Sequence, residues 1–278
     1  MIGVHGMPFP RHRPPVTPDP ILQDGLPYLA WLDPRSARLP GIQPVIGDDW
    51  LRVDEAFAGQ MGERDRLIAD HEAAVHALTE AARPAANELF DRVLQVLRQT
   101  PGYRVAPSLV QRPDGVSVAL DRENPLRTLG RLVQEDLCLM ELIGDEHVLT
   151  GAVLCFPASW TLAEKLGRPM TGIHTPVADY TDDVARRVQR MFNAIRPEQP
   201  LWRMNYLTYA DPTLHQPRRE YDRRPRPAAD LRVFVRSERQ CLMRLPQTRA
   251  VVFSIHTYVV RARSLPDEAL AALQSEGL

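Results

Sequence analysis

Lysine is almost missing from this chain: Lys165 is the only one, and the remaining strong cations are all arginine. The bias reads as codon composition, so an arginine-rich patch carries less weight as a phosphate site. A charge of one sign is lacking too. With 34 Lys and Arg against 35 Asp and Glu, the formal net charge is -1, and no global field draws the protein to nucleic acid or anionic lipid. Cysteine is scarce. Cys138, Cys155 and Cys241 lie far apart, with no CxxC or CxxH pair, unlike a secreted disulfide framework or a zinc site. No GxGxxG, P-loop, GxSxG or HExxH occurs, so nucleotide-binding and acyl-transfer readings lose their usual signatures. No apolar run approaches the roughly 18 residues of a membrane span. Met1–Pro20 has no continuous apolar stretch of the kind a secretory signal needs. The expected setting is a reducing cytoplasm, with no nucleic-acid or membrane partner.

Proline, in contrast, is plentiful, at 26 of 278 residues. Residues 1–45 are expected to form a proline-rich arm over the surface, because Pro breaks helices and central strands. Leu22, Leu26, Tyr28, Leu29 and Trp31 would pin it. Trp50-Leu-Arg-Val53 reads as a short extended piece leading into helix. The spacing of Leu67, Ile68, Val75 and Leu78 predicts a helix over 63–81. That of Leu89, Phe90, Val93, Leu94 and Leu97 predicts another over 85–99. Pro84 suits a first helical turn, which puts the break at 82–84.

From about residue 127 the period changes. Leu137–Ile143, the turn at 144–146 and His147–Phe156 read as an antiparallel hairpin. Thr161 and Glu164 have capping-box spacing for a short helix over 162–166, which Gly167 stops. A helix over 181–194 carries Val184, Val188, Met191 and Phe192 on one stripe. Strands are predicted at 201–209, 231–236 and 249–260, with an exposed excursion over 212–229, and a last helix at 266–275. The expected fold class is α+β. A helical front half (46–126) packs on an antiparallel sheet of about five strands (127–278), with helices on one side of the sheet.

Within this frame, Ile173-His-Thr-Pro-Val177 presents His174 on a loop that Pro176 stiffens. Such a loop suits a histidine that offers one ring nitrogen to a haem iron while the other is hydrogen-bonded. A satisfied histidine at a helix–sheet junction would have the same surroundings. Arg203 and Asn205 share one strand face, with Trp202, Met204 and Tyr206 on the other. A fixed guanidinium there can pair a carboxylate bidentately, or the face is merely solvated. Arg236-Ser-Glu-Arg-Gln240 and Leu242-Met-Arg-Leu-Pro246 form the densest polar cluster beside a strand. Glu238 suits a general base or an amine-binding anion, and Arg236, Arg239 and Arg244 suit carboxylates. The plainer alternative is a helix or turn of mutually paired charges. Glu135-Asp136 reads as a carboxylate pair or a polar strand start. His256 and Tyr258 share a strand face, from which Tyr258 can donate a hydrogen bond, or the two just line a core edge. His71 and His76 are five apart on a helix and share no ligand face.

Taken together, Val133-Gln-Glu-Asp-Leu-Cys138, Cys155-Phe-Pro-Ala-Ser-Trp160, Glu164-Lys-Leu-Gly167, Ile173-His-Thr-Pro-Val177, Arg203-Met-Asn-Tyr206, Glu238-Arg-Gln240 and Arg244-Leu-Pro246 resemble the haem-dependent oxidative N-demethylase alpha-subunit family. The resemblance implies that 46–278 form one domain, with a PAS-like antiparallel sheet over about 127–278 that binds haem b. The implied reaction is oxidative removal of a methyl group from a small secondary amine such as dimethylamine, releasing formaldehyde. It also implies partner subunits carrying flavin, an iron–sulfur cluster and folate chemistry, none of whose motifs this chain contains. On the matching positions, His174 becomes the axial metal ligand, and Arg203 and Arg239 anchor propionates or position substrate. Asn205 and Glu238 fall near the amine, and Tyr258, from its own strand reading, completes the catalytic candidates. Three residues in two places depart from the family pattern: Met204-Asn-Tyr206 replaces Thr-Asn-Trp, and His256 stands where a basic residue is commoner. Both would be expected to alter the distal pocket. The alternatives to an oxidoreductase are a non-catalytic haem sensor or carrier, and a PAS-like module that binds a partner without haem.

Overall fold

The computed structural model describes residues 21–37, 41–174, 182–222 and 233–275. Its strands are β1 (Gln43–Pro44), β2 (His76–Leu78), β3 (Arg104–Val105), β4 (Leu109–Gln111), β5 (Ser117–Ala119), β6 (Asp136–Ile143), β7 (Glu146–Val153), β8 (Leu201–Tyr209), β9 (Phe234–Arg244) and β10 (Val251–Arg261). Its helices are α1 (Pro34–Ala37), α2 (Phe57–Asp70), α3 (Glu72–Val75), α4 (Arg83–Leu97), α5 (Pro125–Gly130), α6 (Leu162–Lys165), α7 (Met170–His174), α8 (Asp182–Ala194) and α9 (Asp267–Ser275). Seven strands make one antiparallel sheet in the order β1-β8-β9-β10-β6-β7-β2, and β3-β4-β5 form a small separate one. The chain is therefore α+β, as the change of period at residue 127 predicts.

The expected five strands are the five long ones, β6 to β10. Two short edge strands and the small sheet escaped the sequence reading, because two or three residues carry too little pattern. The predicted hairpin is present, and Gly144 makes its turn with φ at 64°, a conformation glycine adopts without a side-chain clash. The helix expected over 63–81 instead runs over 57–70. Val75 lies in α3, and Leu78 in β2, which pairs with the edge of β7 through Gly151. The open hydrogen-bonding groups of that edge outweigh the helical spacing of the sequence. The strand expected to end at 236 continues to Arg244, so Arg236–Gln240 is strand, neither a helix nor a turn.

Helices cover both faces of the sheet, correcting the one-sided expectation. Leu137, Leu139, Cys241, Met243 and Val252 point one way and pack with Leu67, Ile68, Leu89, Phe90, Val93 and Leu129 of α2, α4 and α5. Their strand neighbours Cys138, Met140, Leu242 and Val251 point the other way and pack with Leu162, Met170 and Phe192 of α6, α7 and α8. We call these the α4 face and the α8 face. The sign was in the sequence, since Leu137–Ile143 is close to continuously apolar, the mark of a strand buried on both sides. Within the arm, residues 1–20 lie outside the described residues. Residues 21–37 pack as expected: Trp31 joins Val235, Val260 and Leu273 on the α4 face, with Leu26 and Leu29 beside it. Among the described residues, no helix is long and apolar enough to cross a membrane.

Candidate functional site

Strand register assembles the site. In the β8–β9 pair Arg203 lies opposite Gln240, Asn205 opposite Glu238 and Leu207 opposite Arg236. Side chains opposite one another share a face, so Arg203, Asn205, Arg236, Glu238 and Gln240 all belong to the α8 face. Around them, Trp160, Ile173, Val188, Met191, Leu201 and Phe253 are apolar yet only partly buried. The result is a polar ladder in a half-covered apolar setting.

Glu238, 7% exposed, is the hub. Its Oε2 accepts from Asn205 Nδ2 at 3.0 Å and Gln240 Nε2 at 3.1 Å, and its Oε1 accepts from Arg236 Nη2 at 3.3 Å. Arg236 is in turn held by backbone carbonyls: Nη1 donates to Leu214 O at 2.8 Å and Nη2 to Phe156 O. These partners explain how charged residues occupy a buried strand. Arg203 differs. It makes no hydrogen bond or ion pair among the described residues, and its buried Nε has no partner. Burial pulls its pKa below the usual guanidinium value, and the nearby charge of Glu238 opposes that shift only in part.

His174 ends α7, so its backbone belongs to a short helix where a loop was expected. Its ring, and Thr175–Val177, lie outside the described residues, as does the side chain of Val184. Ile173 and Met170 of the same helix belong to the apolar cluster on the α8 face.

Arg239 and Tyr258 are not brought to this group. Alternation and register put both on the α4 face with His256. Arg239 Nη2 donates to Asp49 at 3.0 Å, and its guanidinium lies 4.9 Å from the Trp202 ring. Tyr258 accepts from Arg52 Nη1 at 3.3 Å, and burial pushes its phenol up to about 12. His256 and Tyr258 do share a face, with ring centroids 4.6 Å apart. His256 is gripped at both ring nitrogens, by Glu135 Oε1 at 2.8 Å and Asp54 Oδ2 at 3.0 Å. Burial opposes its charge, but the two carboxylates overcome it and raise its pKa to about 9. A cleft of about 550 Å³ opens beside Asp54, Arg52 and Tyr258, on this face and away from the Arg203 ladder. The departures Met204, Tyr206 and His256 all lie here too. They do not share the face of Arg203 and Glu238.

Glu135 and Asp136 do not act as a pair. Glu135 serves His256, whereas Asp136 pairs with the buried Arg64 at 2.7 Å and accepts the N–H groups of Cys155 and Phe156 at 2.7 and 2.9 Å. Among the described residues, Arg244 binds no carboxylate. Its guanidinium donates to Phe192 O, to Ile195 O at 2.8 Å and to Arg249 O at 2.6 Å, closing the C-terminal end of α8. Sequence reasoning missed Gln240 as a partner of Glu238 and both anions on His256. Alternation through 234–244 would have found the first. The second joins residues about 120 and 200 positions apart, and no local pattern carries that.

Residues 41–276 match a family model described as haem-dependent oxidative N-demethylase, alpha subunit-like. That span is most of the chain, and the protein therefore belongs to the haem-dependent oxidative N-demethylase, alpha subunit-like family.

Proposed function

We propose that the α8 face binds haem b and oxidatively demethylates a small secondary amine resembling dimethylamine. One observation carries this reading: Arg203, a largely buried cation whose side chain has no partner among the described residues, stands beside Asn205 and Glu238 on a face with partly buried apolar side chains. Haem is a flat apolar macrocycle with two carboxylates, and both features find a counterpart there. Arg203 would hold a propionate, and Trp160, Val188, Met191 and Phe253 would take the ring surface. His174, at the end of the helix that brings Ile173 to this face, would hold the iron. Arg239 and Tyr258 have no part in this group.

Bound haem supplies the electron-transfer chemistry that side chains lack. The chain's own contribution is to bind and orient. Glu238 attracts the ammonium form of the amine and takes a proton from it. Asn205 and Gln240 fix the carboxylate, and Arg236 balances its charge. Loss of two electrons and two protons turns the N-methyl group into a methylene imine. Water then adds to the imine and releases formaldehyde and the demethylated amine. The electrons leave to a separate flavin or iron–sulfur subunit, consistent with an alpha subunit.

The fold reading is PAS-like. In its support, the last long strand, β10, lies between β9 and the first long strand, β6, and the helices joining β7 to β8 cover one face. Residues 46–278 act as one unit, with 1–45 as its arm. Cytoplasmic residence fits three buried free cysteines. The test supplies purified haem-loaded protein with dimethylamine and an artificial electron acceptor. The reading predicts formaldehyde in proportion to acceptor reduced. Haem binding with no formaldehyde from any small secondary amine would leave a sensor or carrier instead.

A further inference from the structure

The chain's only lysine is buried, 5% exposed, beside the end of α7. A buried ammonium is unfavourable unless paired and hydrogen-bonded, and Lys165 is both. Its Nζ donates to Ile173 O at 2.6 Å and to Glu220 Oε1 at 2.5 Å. Glu220 is itself held by Arg168 at 3.0 and 3.1 Å, and its N–H donates to the Glu164 carboxylate at 3.2 Å. The start of α7 is fixed separately, on β7. Gly167 N–H donates to Leu149 O at 2.8 Å, and Leu149 N–H donates to Arg168 O at 3.1 Å.

A five-residue helix cannot sustain itself, and its last carbonyls have no partner within the helix. Lys165 supplies one. A compact ammonium with three rotatable donors reaches a carbonyl and a carboxylate together, which the planar fork of arginine does less readily. The carbonyl chosen belongs to the peptide that leads directly into His174.

We propose that Lys165 is a positioning residue for the metal ligand: by clamping the Ile173 carbonyl it fixes the peptide that carries His174. This rests on the haem reading above. Partners one step removed from a ligand change metal affinity about 10–100-fold when lost. The linkage is also reciprocal, so bound haem must tighten the clamp.

Two experiments test it. In the first, haem-loaded Lys165→Met/Glu220→Met, which removes both paired charges together, is compared with Lys165→Arg and Glu220→Gln. The expected result is haem transfer to a scavenging globin about tenfold or more faster, with a shifted Soret and spin-state spectrum. Glu220→Gln, which leaves the Ile173 contact intact, and Lys165→Arg, which keeps a charged donor, should both stay closer to wild type. The second uses wild-type protein. Peptide-resolved acetylation reads one lysine only, and haem should slow its labelling several-fold relative to haem-free protein. Equal labelling rates, or a double variant with wild-type spectrum and transfer rate, overturn the clamp. If His174→Ala still changes the spectrum, the haem reading survives that result. If His174→Ala changes nothing, the ligand assignment and the clamp both fall.

Discussion

Asn205 holds Glu238 at two points: its Nδ2 donates to Glu238 Oε2 at 3.0 Å, and its Oδ1 accepts the Glu238 backbone N–H at 3.0 Å. The carboxylate is thereby locked to the strand that carries it. A group held this firmly loses little freedom when a substrate arrives, a condition for efficient positioning. Glu238→Gln keeps the shape and removes the charge. Amine turnover should fall about 100-fold or more, the range for loss of a general base, with the haem spectrum little changed. Steady-state formaldehyde release decides it, and full activity would remove Glu238 from the site.

Arg203→Ala should act in opposite directions on two measurements. In haem-free protein it removes a desolvated cation that has no partner among the described residues, so the urea midpoint should stay level or rise. In haem-loaded protein a buried propionate loses its partner, at about 1–3 kcal/mol, and haem should leave faster. Unchanged haem retention would assign the arginine to substrate or to the surface.

His256 predicts how stability depends on pH. Its folded pKa, about 9, exceeds the ordinary 6.5. Its contribution is therefore complete below about 6.5 and is lost as pH rises through about 9. At 1.36 kcal/mol per unit, the loss is about 3 kcal/mol. Asp54, whose pKa these partners lower against the opposing effect of burial, adds a loss at the acid end. Denaturant midpoints from pH 6 to 10 should fall in wild type and run flatter in His256→Gln.

Asp136→Ala leaves Arg64 with carbonyls alone and leaves the Cys155 and Phe156 amides without their acceptor. Breaking a buried pair from one side costs about 3–5 kcal/mol. Chemical denaturation should show that loss, and a change under about 1 kcal/mol would mean that water replaces the carboxylate.

The sequence was readable where pattern is local and long. The hairpin at 136–153, the strand at 201–209 and helix α8 all follow from periodicity, and the sharing of one face by Arg203 and Asn205 follows from alternation alone. It was misleading where tertiary pairing wins, as when Leu78 left a helical stripe for an edge strand. It was silent where partners meet across the chain: Asp54 with His256, Lys165 with Ile173 and Glu220. Glu238 was found by residue type, whereas Arg239, next to it in sequence, was assigned to the same group and points to the opposite face. One residue of register separates those two outcomes.

The most direct measurement is the absorption spectrum of haem-free protein titrated with haemin, for wild type and His174→Ala side by side. Wild type should saturate at one haem per chain with a sharp Soret band, and the variant should bind more weakly or give a shifted band. Superimposable titrations, or a wild-type protein that never develops the band, would contradict the account.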